Sequence, residues 1–177
     1  MRKINFKVRR SNILDLLNFN EGPIKGQDIA SKLGVTRQII VKDIAILRAE
    51  GNSIIATPEG YMIEKSTTNK INRIIAVNHS SENTRMELEA IIKYGGIVKD
   101  VIIEHRIYGE ISANLMLKTY YDVEKFINKL NNKRVEPLSK LTGGLHLHTI
   151  EADSIEIMDK IIDELDRLGF LVKDIEK

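Results

Sequence analysis

The stretch Ile29 to Gly51, IASKLGVTRQIIVKDIAILRAEG, with Ile54 to Ile63, IIATPEGYMI, decides how the first third of the chain folds. Within Gly26 to Leu33, the apolar residues Ile29, Ala30 and Leu33 stand at i, i+1 and i+4, the spacing of a short helix. Gly34 stops it, because glycine accepts the left-handed backbone that closes a helix. Thr36 then offers a side-chain oxygen to cap a third helix, in which Ile40, Ile44 and Leu47 share one face before Glu50-Gly51-Asn52. Upstream, Val8 to Phe19 carries Ile13, Leu14, Leu16 and Leu17 close to helical spacing and ends at Gly22-Pro23. Downstream, Ser53 to Thr57 and Tyr61 to Ile63 read as strands around the turn Pro58-Glu59-Gly60. Helix, helix, turn, helix, hairpin is the winged helix-turn-helix order.

In such a module the first turn of the third helix meets base edges in the major groove. With Ile40, Ile44 and Leu47 facing inward, the outer face offers Arg37, Gln38, Val41, Lys42 and Arg48, preceded by Thr36. Arg37 and Gln38 are the base-reading candidates, since Arg pairs with guanine and Gln with adenine in bidentate fashion. Lys42, Arg48 and the Arg9-Arg10 pair are candidates for phosphate contacts, while Glu59 at the wing tip would repel phosphate. Charge agrees with this placement: residues 1–65 hold eleven Lys/Arg against seven Asp/Glu, whereas residues 66–177 hold sixteen against eighteen. A protein-docking winged helix would share the same helices and hairpin. The segment quoted above resembles the helix-turn-helix of biotin-repressor-type bacterial regulators, and the resemblance favours operator DNA as the partner.

The apolar-free run Ser66-Thr67-Thr68-Asn69-Lys70 marks a boundary between a DNA-binding domain at 1–65 and a second domain at 66–177. The second domain predicts a strand at Ile71–Asn78, a helix at Thr84–Tyr94 ended by Gly95-Gly96, and strands at Val98–Glu104 and Glu110–Leu117 joined through Tyr108-Gly109. A helix at Asp122–Leu130 stopped by Asn131-Asn132, a strand at Leu145–Ile150 and a helix at Ser154–Leu168 follow. The order βαββαβ plus one helix predicts an α+β fold, a winged helix-turn-helix followed by a ferredoxin-like sandwich with an added helix.

The four histidines, His79, His105, His146 and His148, all lie in this second domain. His146 and His148 are two apart on a strand and so project from one face, a spacing common to metal sites and to ordinary strands. In a ferredoxin-like sheet the first and last strands are neighbours, which brings His79 toward His146, while His105 ends a strand two spacings away. Glu87 is a candidate fourth ligand, with Glu82 and Glu89 behind it. Thr84-Arg85-Met86-Glu87 also reads as a capping box, which by itself accounts for the glutamate.

With no cysteine in the chain, thiolate metal sites and cysteine nucleophiles are excluded. The longest apolar runs, such as Ile74-Ile75-Ala76-Val77, fall far short of the roughly 20 residues that cross a bilayer. The N-terminal residues lack the apolar core of a signal peptide, so a cytoplasmic location and no membrane partner are expected. A metal-dependent hydrolase is an alternative, since a divalent ion held by His and Glu acidifies bound water. Against catalysis, the chain lacks H-E-x-x-H, G-x-S-x-G, a P-loop and G-x-G-x-x-G.

The segments AVNHSSENTRMELEAIIKYGG, VIIEHRIYGEI and LTGGLHLHTIEA resemble the 3H domain, a regulatory domain found behind a helix-turn-helix in niacin-responsive transcriptional repressors. The resemblance implies a non-enzymatic repressor of NAD-biosynthesis or niacin-uptake genes that takes nicotinic acid as corepressor. It also implies a bound divalent transition metal, nickel or zinc, with His79, Glu87, His146 and His148 as the positions that carry over. A repressor responding to the metal alone is the third alternative. A homodimer on a palindromic operator is expected, because one winged helix buries little surface. His105, Arg106 and Tyr108 are candidates for the effector pocket, set against the more ordinary reading that they are exposed residues of a hairpin turn.

Overall fold

The computed structural model describes residues 5–64 and 70–172 and divides the chain into two compact units, Met1–Ser66 and Thr67–Lys177. Residues 66–69 of the expected boundary run lie outside the described residues. The first unit contains helices α1 (Phe6–Phe19), α2 (Gly26–Leu33) and α3 (Arg37–Ala49), then strands β1 (Ile54–Thr57) and β2 (Gly60–Ile63). Asn5 caps α1 by accepting a bond from the Lys7 N–H at 2.9 Å. Gly34 ends α2 at φ +64, as its position predicts. Ile13, Leu17, Ile29, Ile40, Ile44 and Leu47 form one buried cluster beneath the three helices. Burying such side chains contributes about 1.5–3 kcal/mol each. The hairpin gains a third short partner, because Ile24 and Tyr61 exchange backbone bonds at 2.8 and 2.9 Å. Gly60, at φ +139, permits this approach: a Cβ there would overlap the Ile24 carbonyl.

Two expectations for this unit need correction. Thr36 precedes α3, but its side chain makes no capping bond and is exposed. Arg9 and Arg10, expected at phosphate, each commit their Nε–H to Asp43, at 2.5 and 3.2 Å. Asp43, 2 % exposed, belongs to the inward face of α3 beside Ile40, Ile44 and Leu47.

The second unit contains β3 (Ile71–Asn78), a short 3-10 turn at Ser81–Asn83, α4 (Thr84–Ile92), β4 (Ile97–His105), β5 (Gly109–Leu117), α5 (Tyr120–Lys133), a 3-10 turn at Leu138–Thr142, β6 (Leu145–Ala152) and α6 (Ile155–Arg167). The class is α+β and the element order is the expected one. Helix α5 starts earlier, behind a Thr119–Asp122 capping box, and runs through Asn131 and Asn132 to a left-handed Arg134 at φ 49. The sheet is antiparallel in the order β3-β6-β4-β5. A ferredoxin-like order would place the first strand inside the last; here β6 takes the inner place and β3 the edge. Burial explains the choice. In β6, His146, His148 and Ile150 to Ala152 are buried, whereas Asn72, Arg73 and Ile74 of β3 are exposed. The more deeply buried of the two strands takes the inner place.

The core lies between one sheet face and α4, α5 and α6, around Val77, Leu88, Ile91, Val98, Leu117, Val123, Ile150 and Ile161. On the opposite face, Ile74 and Leu145 are exposed and Ala76, Ile102 and Leu147 half-buried.

Candidate metal centre and DNA-reading face

Antiparallel register builds the histidine cluster. Val77 of β3 pairs with His146 and Ile75 with His148, so His79, just past the end of β3, comes level with Gly144. Gly144 at φ +108 makes this crossing possible, because a Cβ there would overlap the His79 carbonyl. Alternation along β6 turns both imidazoles inward, where their ring centroids stand 4.9 Å apart; His79 lies 5.1 Å from His146.

Glu87 stands at the centre. Its Oε2 is 2.8 Å from His79 Nε2 and 3.4 Å from His146 Nε2, and its Oε1 is 3.3 Å from His148 Nε2. Glu87 is fully buried, and the three histidines are no more than 8 % exposed. One ligand atom from each of His79, Glu87 and His146 falls within 4.8 Å of the others. The capping-box reading of Thr84-x-x-Glu87 is not realised: α4 has no side-chain cap, and the Glu87 carboxylate turns toward the imidazoles. Glu82 is exposed and Glu89 pairs with Arg85 at 3.3 Å, so neither joins the cluster.

The outer edges of the rings decide the chemistry. His79 Nδ1 bonds the Ser80 carbonyl at 2.8 Å, His146 Nδ1 the Gly144 carbonyl at 2.8 Å, and His148 Nδ1 the Asp100 carbonyl. A carbonyl only accepts, so each Nδ1 carries its proton. Each neutral ring then presents an Nε2 lone pair to a carboxylate, lone pair against lone pair. Protonation of the rings or a cation relieves this. Burial opposes charge on Glu87, but facing His148 and hydrogen bonding to His146, His148 and His79 outweigh it and hold the carboxyl well below its usual pKa. Burial likewise opposes charge on His79 and His148, and Glu87 overrides it and raises both. Glu87 Oε1 faces only His148 Nε2, at 3.3 Å, and, one helical turn away, Thr84 Oγ1 is buried without a hydrogen-bond partner. Three imidazole nitrogens with fixed tautomers and one carboxylate form a donor set suited to a divalent transition metal.

Sequence reasoning missed three supports of this cluster. Asp100, where the β4 register shifts, receives the His148 proton on its carbonyl and the Thr149 N–H on its carboxylate at 2.8 Å. Phe170 packs its ring 4.8 Å from that of His79. Gly144 is the third, and the paired glycines before His-x-His were its available signal. His105 stays outside the cluster: it receives turn N–H bonds from Ile107 and Tyr108 at 3.3 and 3.4 Å and stacks on Tyr108. Arg106 and Tyr108 are exposed.

On α3, Arg37, Gln38, Lys42 and Arg48 are exposed, outside the buried stripe of Ile40, Ile44 and Leu47. None of the three cations there makes an ion pair among the described residues, in contrast to Arg9 and Arg10. Gly26 keeps room beside the start of this helix, since a Cβ on it would stand 3.1 Å from the Tyr61 ring and 3.8 Å from the Arg37 stem. No helix among the described residues is long and apolar enough to cross a membrane.

Comparisons with known proteins join the two units. Residues 9–62 match a helix-turn-helix (HTH) domain family and residues 72–174 the 3H domain family. The chain is 40 % identical over 166 residues to "Probable transcription repressor NiaR" of Thermotoga maritima, covering 94 % of each chain. It is 39 % identical over 169 residues to "Transcription repressor NadR" of Bacillus subtilis, again covering 94 % of each. With both domains present in the same order, the chain belongs to the 3H-domain family of helix-turn-helix transcription repressors.

Proposed function

We propose that this protein represses transcription by binding operator DNA as a homodimer in response to nicotinic acid, controlling genes of NAD biosynthesis or niacin uptake. A divalent transition metal, nickel or zinc, is held by His79, Glu87, His146 and His148. The observation that carries the metal reading is the inward convergence of three imidazole Nε2 atoms, each with its Nδ1 bonded to a carbonyl, on one buried carboxylate. The metal would supply the positive charge that this donor set lacks. The chain's own residues fix the ring tautomers through Ser80, Gly144 and Asp100 and shield the cluster with Phe170.

For DNA, Arg37 and Gln38 read bases while Lys42 and Arg48 hold phosphates. The helix-turn-helix pairing and the repressor relatives support this role over a hydrolase. Effector binding promotes operator binding only through higher affinity for the DNA-competent state.

The test is operator binding by fluorescence anisotropy, with and without nicotinate and after chelation. In the double variant His146→Ala, His148→Ala, metal content and the nicotinate enhancement are lost while basal, salt-sensitive binding persists. A full nicotinate response in that variant would sink the metal's role; a response to metal without nicotinate would favour the metal-responsive repressor. Sedimentation at micromolar concentration checks the dimer, and a strictly monomeric protein with and without DNA overturns it.

A further inference from the structure

The open face of the β3-β6-β4-β5 sheet carries a cavity of about 390 Å³, within the range of roughly 300–1,000 Å³ typical of small-molecule sites. Its floor crosses three strands without a break in apolar character: Ala76 pairs with Leu147, and Leu147 with Ile102. Leu145 extends the floor, and His146, whose ring belongs to the buried cluster on the other face, is the residue between Leu145 and Leu147 in the strand that lines it. Two charges stand on the rim, Arg106 and Glu104, both exposed, and Arg106 makes no ion pair among the described residues. A flat apolar floor with one free guanidinium is a receptor for a planar ring bearing one carboxylate, since the guanidinium fork matches a carboxylate in bidentate fashion.

We propose that this cavity is the effector site, taking a small aromatic monocarboxylate with its ring over Ala76, Ile102 and Leu147 and its carboxylate on Arg106. This rests on the reading of nicotinic acid as effector, and it names the residues that receive it. Of the turn residues singled out in the sequence, Arg106 has a part here, whereas His105 and Tyr108 do not line the cavity. Glu104 gives the site a selectivity beyond shape. A second carboxylate on the ring would meet it, so pyridine-2,3-dicarboxylate binds more weakly than nicotinate. Because β6 carries Leu145 and Leu147 on this face and His146 and His148 on the other, occupancy is felt by the buried cluster through one strand.

The test is calorimetric titration of the full chain with nicotinate, nicotinamide and pyridine-2,3-dicarboxylate, with metal content measured on each sample. Arg106→Gln is expected to weaken nicotinate by about tenfold or more, the loss of a charge-assisted pair, and to leave nicotinamide affinity and metal content unchanged. Ala76→Phe, which fills the floor, is expected to remove binding of all three probes. Wild-type affinity for nicotinate in either variant overturns the assignment, as does equal affinity for the dicarboxylate. Failure of the wild-type chain to bind nicotinate at all would instead overturn the effector reading on which the assignment rests.

Discussion

Two helices of this protein each bury a carboxylate, and the two are balanced by different chemistry. Asp43 on α3 is held by the guanidinium groups of Arg9 and Arg10. Glu87 on α4 is faced by the imidazoles of His79, His146 and His148. A guanidinium is charged at any pH a protein meets, so Asp43 is neutralised within the chain. An imidazole is largely neutral near pH 7 and gains charge only from a proton or a metal. The first arrangement is closed and fastens the DNA-reading helix to α1. The second takes its positive charge from outside the chain, as protons on imidazoles that Glu87 makes more basic or, in the proposed reading, as a bound divalent ion.

The largest effect is expected where the closed arrangement is broken. Asp43→Ala leaves two guanidinium groups without their partner and is expected to cost about 3–5 kcal/mol in denaturant unfolding of the helix-turn-helix unit. Adding metal or nicotinate should restore none of it. Replacing all three residues together by Leu or Met is expected to recover most of the stability, because a buried ion pair is often no more stabilising than a well-packed apolar substitute. A loss below about 1 kcal/mol for Asp43→Ala, the size of an exposed ion pair, would show that the pair is incidental.

Glu87→Gln should behave in the opposite way. In metal-free protein the amide can donate to an imidazole lone pair, so the cost is expected to stay near the roughly 1 kcal/mol of a single hydrogen bond. What disappears is the gain from metal. At a hundredfold excess over its Kd, a bound ion stabilises the wild-type chain by about 2.7 kcal/mol, and the variant is expected to show little of this. Thermal unfolding of chelated and metal-loaded samples measures both quantities. Equal metal-induced gains in the two proteins would remove the distinction between the two carboxylates.

How much of this contrast was legible in the sequence follows from what each residue reveals locally. Ile40, Ile44 and Leu47 declare the inner face of α3 by spacing, and His146-x-His148 declares a shared sheet face by alternation. Asp43 interrupts an apolar pattern, and the arginines that satisfy it stand 33 and 34 residues earlier, so nothing local announces the pair. Glu87 was ambiguous for a related reason. The T-x-x-E spacing fits a cap, and the three-dimensional crossing of β3 past Gly144 is what turns the carboxylate elsewhere. The strand order was also beyond local reading, because the βαββαβ succession leaves open whether the first or last strand lies inside, and that choice is made by total burial.

The exposed face of α3 sharpens the comparison from outside. Arg37→Ala is expected to cost about 1–3 kcal/mol of operator affinity and to relax sequence preference at one position, as loss of a bidentate base contact does. Competition titrations with operator and random duplexes measure it. Unchanged affinity for both would refute the recognition-helix assignment, since Arg37 is unpaired and exposed at the first turn.

The smallest effect is expected at Lys42. It is exposed like Arg37 but stands further along α3, and it too makes no ion pair among the described residues. An ammonium is a point charge that attracts phosphate without reading a base edge. Lys42→Ala should therefore weaken operator and random DNA by the same factor. The variant should also release about one fewer counterion, lowering the slope of log affinity against log salt by about 0.9. Nicotinate enhancement is expected to be unaltered, because the lysine belongs to neither buried carboxylate. Loss of sequence preference in Lys42→Ala would mean that base reading extends along α3, and the division between Arg37 and Lys42 would have to be redrawn.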